Sequence, residues 1–441
     1  MKQFAALLDC VLLTSCQRAP DADDRVVVRY WEKWNGFEGD AMRAVVDDFN
    51  ASQDRIRVEF TSVSQIDRRL MLAIAGGVPP DVAGVWANTL AVYAENNALT
   101  PLDKLAASTG LGEDHYIPAY WEMCRHLGHL WALPSTPSAM GLVWNKKLFR
   151  EAGLDPEKPP GSIAELEAMN ERLTRRGSDG RLEAVGYLPV EPGWWNATWG
   201  WWFGGRIWDG KGRITLDSPE NIEAFDWIES YPRRFGAKQL MSFRDGFGNF
   251  TSPQNPFFTG RVAMVIQGPW IYNFIRNYAP PDFEWGVAAF PSADPARNPG
   301  VAIVDADVLV IPAGARHPKE AFEFLRYVNS REPMEKLCLG QRKFTPLRET
   351  SPGFLENHHN PHIGEFLALA RGENARFFPQ LTVWNQLQNE MNQAFDRVWT
   401  GREEAAPSLR QAQERVADAF AHRQRRWAHR EPFLRKEWSN Q

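Results

Sequence analysis

Short apolar runs alternate with amphipathic stretches through the first hundred residues. Val26, Val27, Val28, Tyr30 and Trp31 predict a strand over 26–31, and Asn35, Gly36 and Gly39 make a turn behind it. A helix is predicted over 40–50, then a partly alternating strand over 56–63. A second helix over 65–75 is stopped by Gly76-Gly77 and Pro79-Pro80. The apolar run over 82–86 is a third strand. This β-α-β-α-β order implies an α/β fold with a mostly parallel sheet and helices on its faces. Ligands in such sheets sit beyond the carboxyl ends of the strands. Trp34, Asn35, Gln65, Trp86 and Asn88 follow those strands and are the first candidates for contact.

The alternation continues. Strands are expected over 142–145, 262–267 and 308–312, with helices over 163–175 and 318–330. Gly210-Lys211-Gly212 marks a hairpin turn, and the chain from about 381 onward reads as helical. At 441 residues the chain exceeds what one core of about 250–300 residues holds, so two lobes are expected. Hydrophobic residues at 44% and charged residues at 24% describe a globular chain, and a formal net charge of −5 argues against nucleic acid as a partner.

Six tryptophans crowd fifteen residues: Trp194, Trp195, Trp199, Trp201, Trp202 and Trp208. Exposing one rather than burying it costs about 1.5–3 kcal/mol, so the group must pack in a core, line a sheltered cleft, or divide between the two. A flat indole with an N–H suits the apolar face and the hydroxyls of a sugar, which makes carbohydrate the first ligand to weigh. A helix over 194–203 would place Trp194 and Trp201 on one face and Trp195, Trp199 and Trp202 on another. Core packing suits Trp199, Trp201 and Trp202; the cleft suits Trp194 and Trp195.

The amino terminus carries Lys2, an apolar run from Phe4 to Leu13, and Leu13-Thr14-Ser15-Cys16 before a polar stretch. That pattern resembles a bacterial lipoprotein signal over 1–15, with lipidation of Cys16 and a linker over 16–24. Asp9 departs from it. The alternative is an amino-terminal tail in which Cys16 stands by chance. With the signal cleaved and Cys16 lipidated, Cys124 and Cys338 would remain as a single pair, which is no disulfide framework. The last twenty residues hold six Arg/Lys against two Glu, plus Trp427 and Trp438. This basic extension over 421–441 is open to two readings: contact with anionic lipid, or a helix packed on its own lobe.

Several motifs in order along residues 25–420 carry a family resemblance. They are Gly76-Gly77-Val78-Pro79-Pro80-Asp81-Val82, Ala98-Leu99-Thr100-Pro101-Leu102-Asp103, Trp144-Asn145-Lys146-Lys147-Leu148-Phe149, Phe258-Thr259-Gly260-Arg261-Val262-Ala263-Met264, Gly268-Pro269-Trp270 and Ile311-Pro312-Ala313-Gly314. Together they resemble the extracytoplasmic solute-binding proteins of carbohydrate ABC importers, the branch that includes the maltose-binding proteins. The resemblance implies a two-lobed periplasmic-binding-protein fold with crossing hinge segments near 134–138, 305–307 and 345–346. Lobe 1 would be 25–136 plus 308–344, and lobe 2 would be 139–302 plus 347–420. It further implies a monomer that needs no cofactor or metal, sits in the periplasm or at the cell surface on a lipid anchor, and delivers sugar to permease subunits. Carried onto this chain, the family's ligand-contacting positions include Trp86, Asn88, Glu191, Trp194, Trp195 and Trp270. Ser138 and Asp305 lie on the crossings, Trp384 is a candidate wall of the cleft, and Arg342 is the one basic candidate for a phosphorylated polyol. Asp305 and Asp307 flank Ala306 beside an apolar run and need partners: a hydroxyl, a cation, or Arg342.

Two other functions stay open. A glycosidase could use Glu191 with Asp305 or Asp307 as a carboxylate pair, and a binding protein could feed a sensor rather than a permease. His358, His359 and His362 lie among Pro and Asn and read as an exposed loop rather than a metal site. No P-loop, zinc-protease helix or nucleophile elbow occurs in the sequence.

Overall fold

The computed structural model describes residues 24–440 apart from 108 and 250, and the side chains of 439 and 440. The signal expected over 1–15 and the lipidation expected at Cys16 lie outside the described residues. Among the described residues eight strands are four residues or longer: β1 Val26–Glu32, β2 Ile56–Ser62, β3 Val82–Trp86, β4 Ala132–Asn145, β5 Leu182–Tyr187, β6 Val262–Gln267, β7 Trp285–Ala288 and β8 Ala302–Val310. They lie in the order β2-β1-β3-β8-β4-β6-β5, with β7 also on β4.

The first three strands pair in parallel, as their alternation with helices predicts. The middle departs from the expectation of a mostly parallel sheet: β8 is antiparallel to both β3 and β4, and β4 is antiparallel to β6 and β7. The cause is that β4 and β8 run through from one lobe to the other. All fourteen residues of β4 are buried, although Pro134 and Pro137 fall within it. Proline contributes no N–H to a ladder. These two pair with Val308 and Ala306, on either side of the slip in register between β4 and β8. The irregularity therefore sits where the strands cross between lobes.

Helix packing follows from sequence spacing. Met42, Val45, Val46 and Phe49 form the buried stripe of α1 (Gly36–Ser52). The Gly-Gly-Val-Pro-Pro-Asp segment after α2 (Ile66–Ala75) has a structural explanation. Asp81 is fully buried, and its carboxylate accepts from the backbone N–H groups of Arg29 at 2.9 Å, Arg316 at 2.9 Å and His317 at 3.1 Å. Deep burial of a carboxylate is tolerable because the backbone donors satisfy it. Cys124 and Cys338 are both buried and unpaired.

Candidate functional site

Two aromatic groups stand in segments that follow strands, one on each lobe. On the first lobe Trp34 follows β1 and Trp86 ends β3; their rings meet edge to face at 6.3 Å. Lys33 Nζ lies 5.1 Å from the Trp34 ring centroid and 5.2 Å from that of Trp86. Its side chain is buried, with Asp307 Oδ1 at 2.9 Å and Glu32 Oε1 at 3.4 Å. Lys343, also buried, has Glu38 at 3.0 Å and the other Asp307 oxygen at 3.8 Å. That same oxygen accepts from Trp34 Nε1 and Thr136 Oγ1, each at 2.9 Å. Gly84 makes room for this cluster, because a Cβ there would come 2.0 Å from the Glu32 carboxylate.

The electrostatics follow from that packing. Burial alone would lower the Lys33 pKa, but Asp307 and Glu32 more than offset it and hold the ammonium above its ordinary range. Lys343 is raised against the same burial by Glu38 and Asp307. Burial pushes the Asp307 carboxyl up, and the two lysines overcome this and hold it below the usual carboxylate value. Asp305 is different. It is half-buried and has no lysine within salt-bridge distance; burial first, then the Asp307 charge, push its pKa up to about 7. Its Oδ1 accepts from the Ala306 N–H at 2.8 Å.

On the second lobe Trp194, Trp195 and Trp270 come together. The Trp194 ring lies 6.1 Å from Trp195 and 6.4 Å from Trp270. Trp194 is 46% exposed, whereas Trp195 is 8% exposed and its Nε1 finds no acceptor within the protein. Trp270 folds back over Gly268 and donates to Gln267 Oε1 at 2.9 Å. Glu191 pairs with Arg244 at 2.8 Å; burial raises its pKa and Arg244 works against the rise.

The other sequence-predicted residues distribute unevenly. Asn35 and Gln65 are exposed, each at the start of a helix without a side-chain cap bond, and Asn88 is half-buried beside Trp86. Ser138 is buried on β4, and its hydroxyl donates to the Asp305 carbonyl at 3.2 Å. Trp384, expected as a wall of the cleft, is 1% exposed and packs on Phe378 at 4.7 Å. It opens helix α5 (Trp384–Trp399), whose apolar stripe faces the core, while the helices expected over 163–175 and 318–330 are α3 (Ile163–Leu173) and α4 (Pro318–Val328). The helix expected over 194–203 is also corrected: only Trp199–Phe203 is helical, as one 3-10 segment. The side chain of Asn221 fills the space at Gly200 and Gly205 and bonds the Arg206 and Thr215 carbonyls, which fixes the turn that closes this segment. Trp199, Trp201 and Trp202 are buried there.

Arg342 does not neutralise Asp305 or Asp307. Its guanidinium donates to Asn273 Oδ1 at 2.6 Å and faces the Tyr272 ring. His358 is buried rather than exposed, with Nε2 at 3.2 Å from the Lys343 carbonyl. Among the described residues no group of three or more His, Cys, Asp or Glu side chains could hold a metal ion. A concavity of about 360 Å³, lined by Trp201, Arg206, Trp208, Arg376 and Phe377 among others, lies apart from both tryptophan groups.

Sequence reasoning missed Lys33, Lys343 and Glu38. Lysines in a globular chain ordinarily lie on the surface, and the carboxylate that buries these two comes from a distant strand. The available signal was position: Lys33 directly precedes Trp34, and Lys343 lies two residues before the third expected crossing.

Residues 36–335 match the family model described as bacterial extracellular solute-binding protein. Among curated relatives, a maltotriose-binding protein of Pyrococcus abyssi is 24% identical over 277 residues, 62% of this chain and 55% of that protein. The chain thus spans little more than half the length of that relative. An sn-glycerol-3-phosphate-binding periplasmic protein of Yersinia pseudotuberculosis is 26% identical over 320 residues, 68% of this chain and 70% of its own length. The solved structure of CpMnBP1 with mannobiose bound superposes with a TM-score of 0.77 at 25% identity, covering 89% of this chain and all of that one. The structural neighbours are two-lobed sugar-binding proteins. The chain belongs to the bacterial extracellular solute-binding proteins.

Proposed function

We propose that this protein captures a neutral sugar or short oligosaccharide between its lobes and passes it, unaltered, to an ABC permease. The observation that carries the reading is the pair of aromatic groups, Trp34 with Trp86 and Trp194 with Trp270, each placed in segments that follow strands on its own lobe. Ligand bridging both would favour the closed population in proportion to its extra contacts there. Exposed Trp194 supplies the stacking face a sugar ring needs. The lipid anchor at Cys16, the two-lobe boundaries given above and the monomeric state belong to the same proposal.

Charge decides between a neutral sugar and a phosphorylated polyol. Lys33 and Lys343 face Glu32, Glu38 and Asp307, so the first-lobe cluster carries one more acid than base. Lys33 and Lys343 would offer a phosphate no spare charge, whereas Arg342 bonds only the neutral Asn273 carboxamide and keeps its charge. The relative that binds glycerol phosphate keeps the second reading in play. Glu191, one half of the carboxylate pair a glycosidase would need, is held by Arg244. Calorimetry against maltotriose, mannobiose and sn-glycerol 3-phosphate tests the reading. Saturable binding of a neutral saccharide without turnover supports it; binding of the phosphate ester alone, or hydrolysis of any glycoside, refutes it.

A further inference from the structure

The last helix, α6 (Ala405–Asn440), runs 36 residues, on the order of 54 Å at 1.5 Å per residue. Its two ends belong to different lobes. The first half is fixed on lobe 2: Ala405, Leu409, Ala412 and Val416 are fully buried, and Gln413 exchanges hydrogen bonds with the backbone of Leu216 and Ile214 at 2.7 and 2.8 Å. The far end is fixed on lobe 1, not on the lobe that carries the rest of the helix. Trp438 is buried edge to face on Trp131 at 4.8 Å and on His129 at 5.5 Å. Its indole N–H donates to Asn97 Oδ1 at 2.9 Å, and Asn97 Nδ2 donates to Glu437 at 3.1 Å. Arg435 donates to the Leu127 carbonyl at 3.0 Å.

The receiving surface is shaped for this end. Four non-glycine residues among those described have left-handed backbone, and two of them, Asn97 at φ 55° and Leu127 at φ 53°, are the ones α6 grips. A left-handed residue costs about 1–2 kcal/mol, so the seat is held against a local penalty. Trp131 directly precedes β4, the strand that crosses between the lobes, so the helix grips the base of a hinge strand. Where α6 passes from lobe to lobe it roofs a cavity of about 370 Å³, lined by Glu95, Arg125 and Leu127 on one side and Trp208, Phe420 and Trp427 on the other. Pro432 sits within the helix and removes one backbone hydrogen bond just before the seated end.

We propose that α6 is an interlobe strut, separate from the hinge crossings, whose seat on lobe 1 sets the ligand-free angle between the lobes. Any rotation about β4 and β8 changes the distance between its two anchorages. The strut must then flex at Pro432 or release Trp438, and the seat opposes departures from the resting angle.

The test needs no sugar, so it can fail while the sugar-capture reading stands. Ligand-free wild type, Trp438→Ala, Trp438→Phe and an oxidised Asn97→Cys/Glu437→Cys pair are compared by hydrogen exchange and small-angle scattering. In Trp438→Ala, amides over 434–440 lose protection about tenfold or more while those over 405–424 keep theirs. The scattering profile of that variant shifts and its distance distribution broadens. Trp438→Phe, which keeps a ring but loses the donor, falls between, and the cross-linked pair returns the wild-type curve. Retained protection over 434–440 in Trp438→Ala overturns the proposal. So does a scattering profile identical to wild type once that protection is lost.

Discussion

The two aromatic groups, one on each lobe, are built in opposite ways. Trp34 and Trp86 rest on five buried or half-buried charged groups, with the Trp34 N–H tied to Asp307 and a lysine between the rings. Trp194 and Trp270 rest on other indoles and one carboxamide, and the nearest ion pair, Glu191 with Arg244, is only partly buried. A charge network of short bonds permits one arrangement, because every member loses solvation if its partner moves. Ring-on-ring contact tolerates sliding. The difference teaches that lobe 1 presents a fixed platform and lobe 2 an adaptable one; under the sugar-capture proposal the first would set the register of the guest and the second would accommodate its length or shape.

The sharpest way to break that contrast is Asp307→Ala. Two buried lysines would lose their shared counter-charge, and urea unfolding should show about 3–5 kcal/mol of lost stability. Glu191→Gln should cost clearly less, since its pair is partly solvated. Equal losses would erase the distinction between the lobes.

Asp305→Asn is next in size and has a defined sign. The folded carboxyl titrates near 7 against an ordinary 3.8. The folded form therefore holds its proton more tightly, and stability falls as pH rises from about 4 to about 7, the penalty being complete above that. Asn cannot ionise, so the variant should match wild type near pH 4 and exceed it at pH 8. The ceiling on the gain is about 4 kcal/mol. A gain of the same size at both pH values would show that packing, not ionisation, is the cause.

Trp194→Ala should weaken binding of whichever saccharide is bound by about 1.5–3 kcal/mol, with little change in melting temperature. Trp202→Ala, fully buried and bonded to the Val301 carbonyl at 3.2 Å, should do the reverse. Differential scanning calorimetry beside isothermal titration separates the two. The smallest effect is expected for Arg342→Met, which removes one bond from lobe 1 to Asn273 on lobe 2, worth about 1 kcal/mol of the contact between lobes. Unchanged scattering and unchanged affinity would mark that bond as incidental.

Much of this architecture is readable from spacing. The strands at 82–86 and 262–267 have the predicted bounds, because both are unbroken apolar runs ended by turn residues. The crossing strand was legible only over its last four residues. Pro134 and Pro137 forbid a central strand by ordinary rules, and they are tolerated here because the register slips beside them. The helix expected over 194–203 fails in its first half: indole spacing fits a helical period, yet only Trp199–Phe203 is helical. At the site, aromatic residues after strands are visible in sequence as positions. The charges beneath them are not, since a buried ion network is a property of residues brought from distant parts of the chain.

The paired prolines beside the slip also bear on how fast such a molecule can work. A joint made of two hydrogen-bonded ribbons with donors missing at two adjacent rungs behaves as a torsion spring with a soft spot. Twist is spread over several dihedrals yet concentrated where the ladder is already incomplete. Within this ladder no further bond would have to break for the proposed closure, so the joint itself should be elastic and self-restoring, leaving the seat of α6 and the Arg342–Asn273 bond as the contacts that resist it.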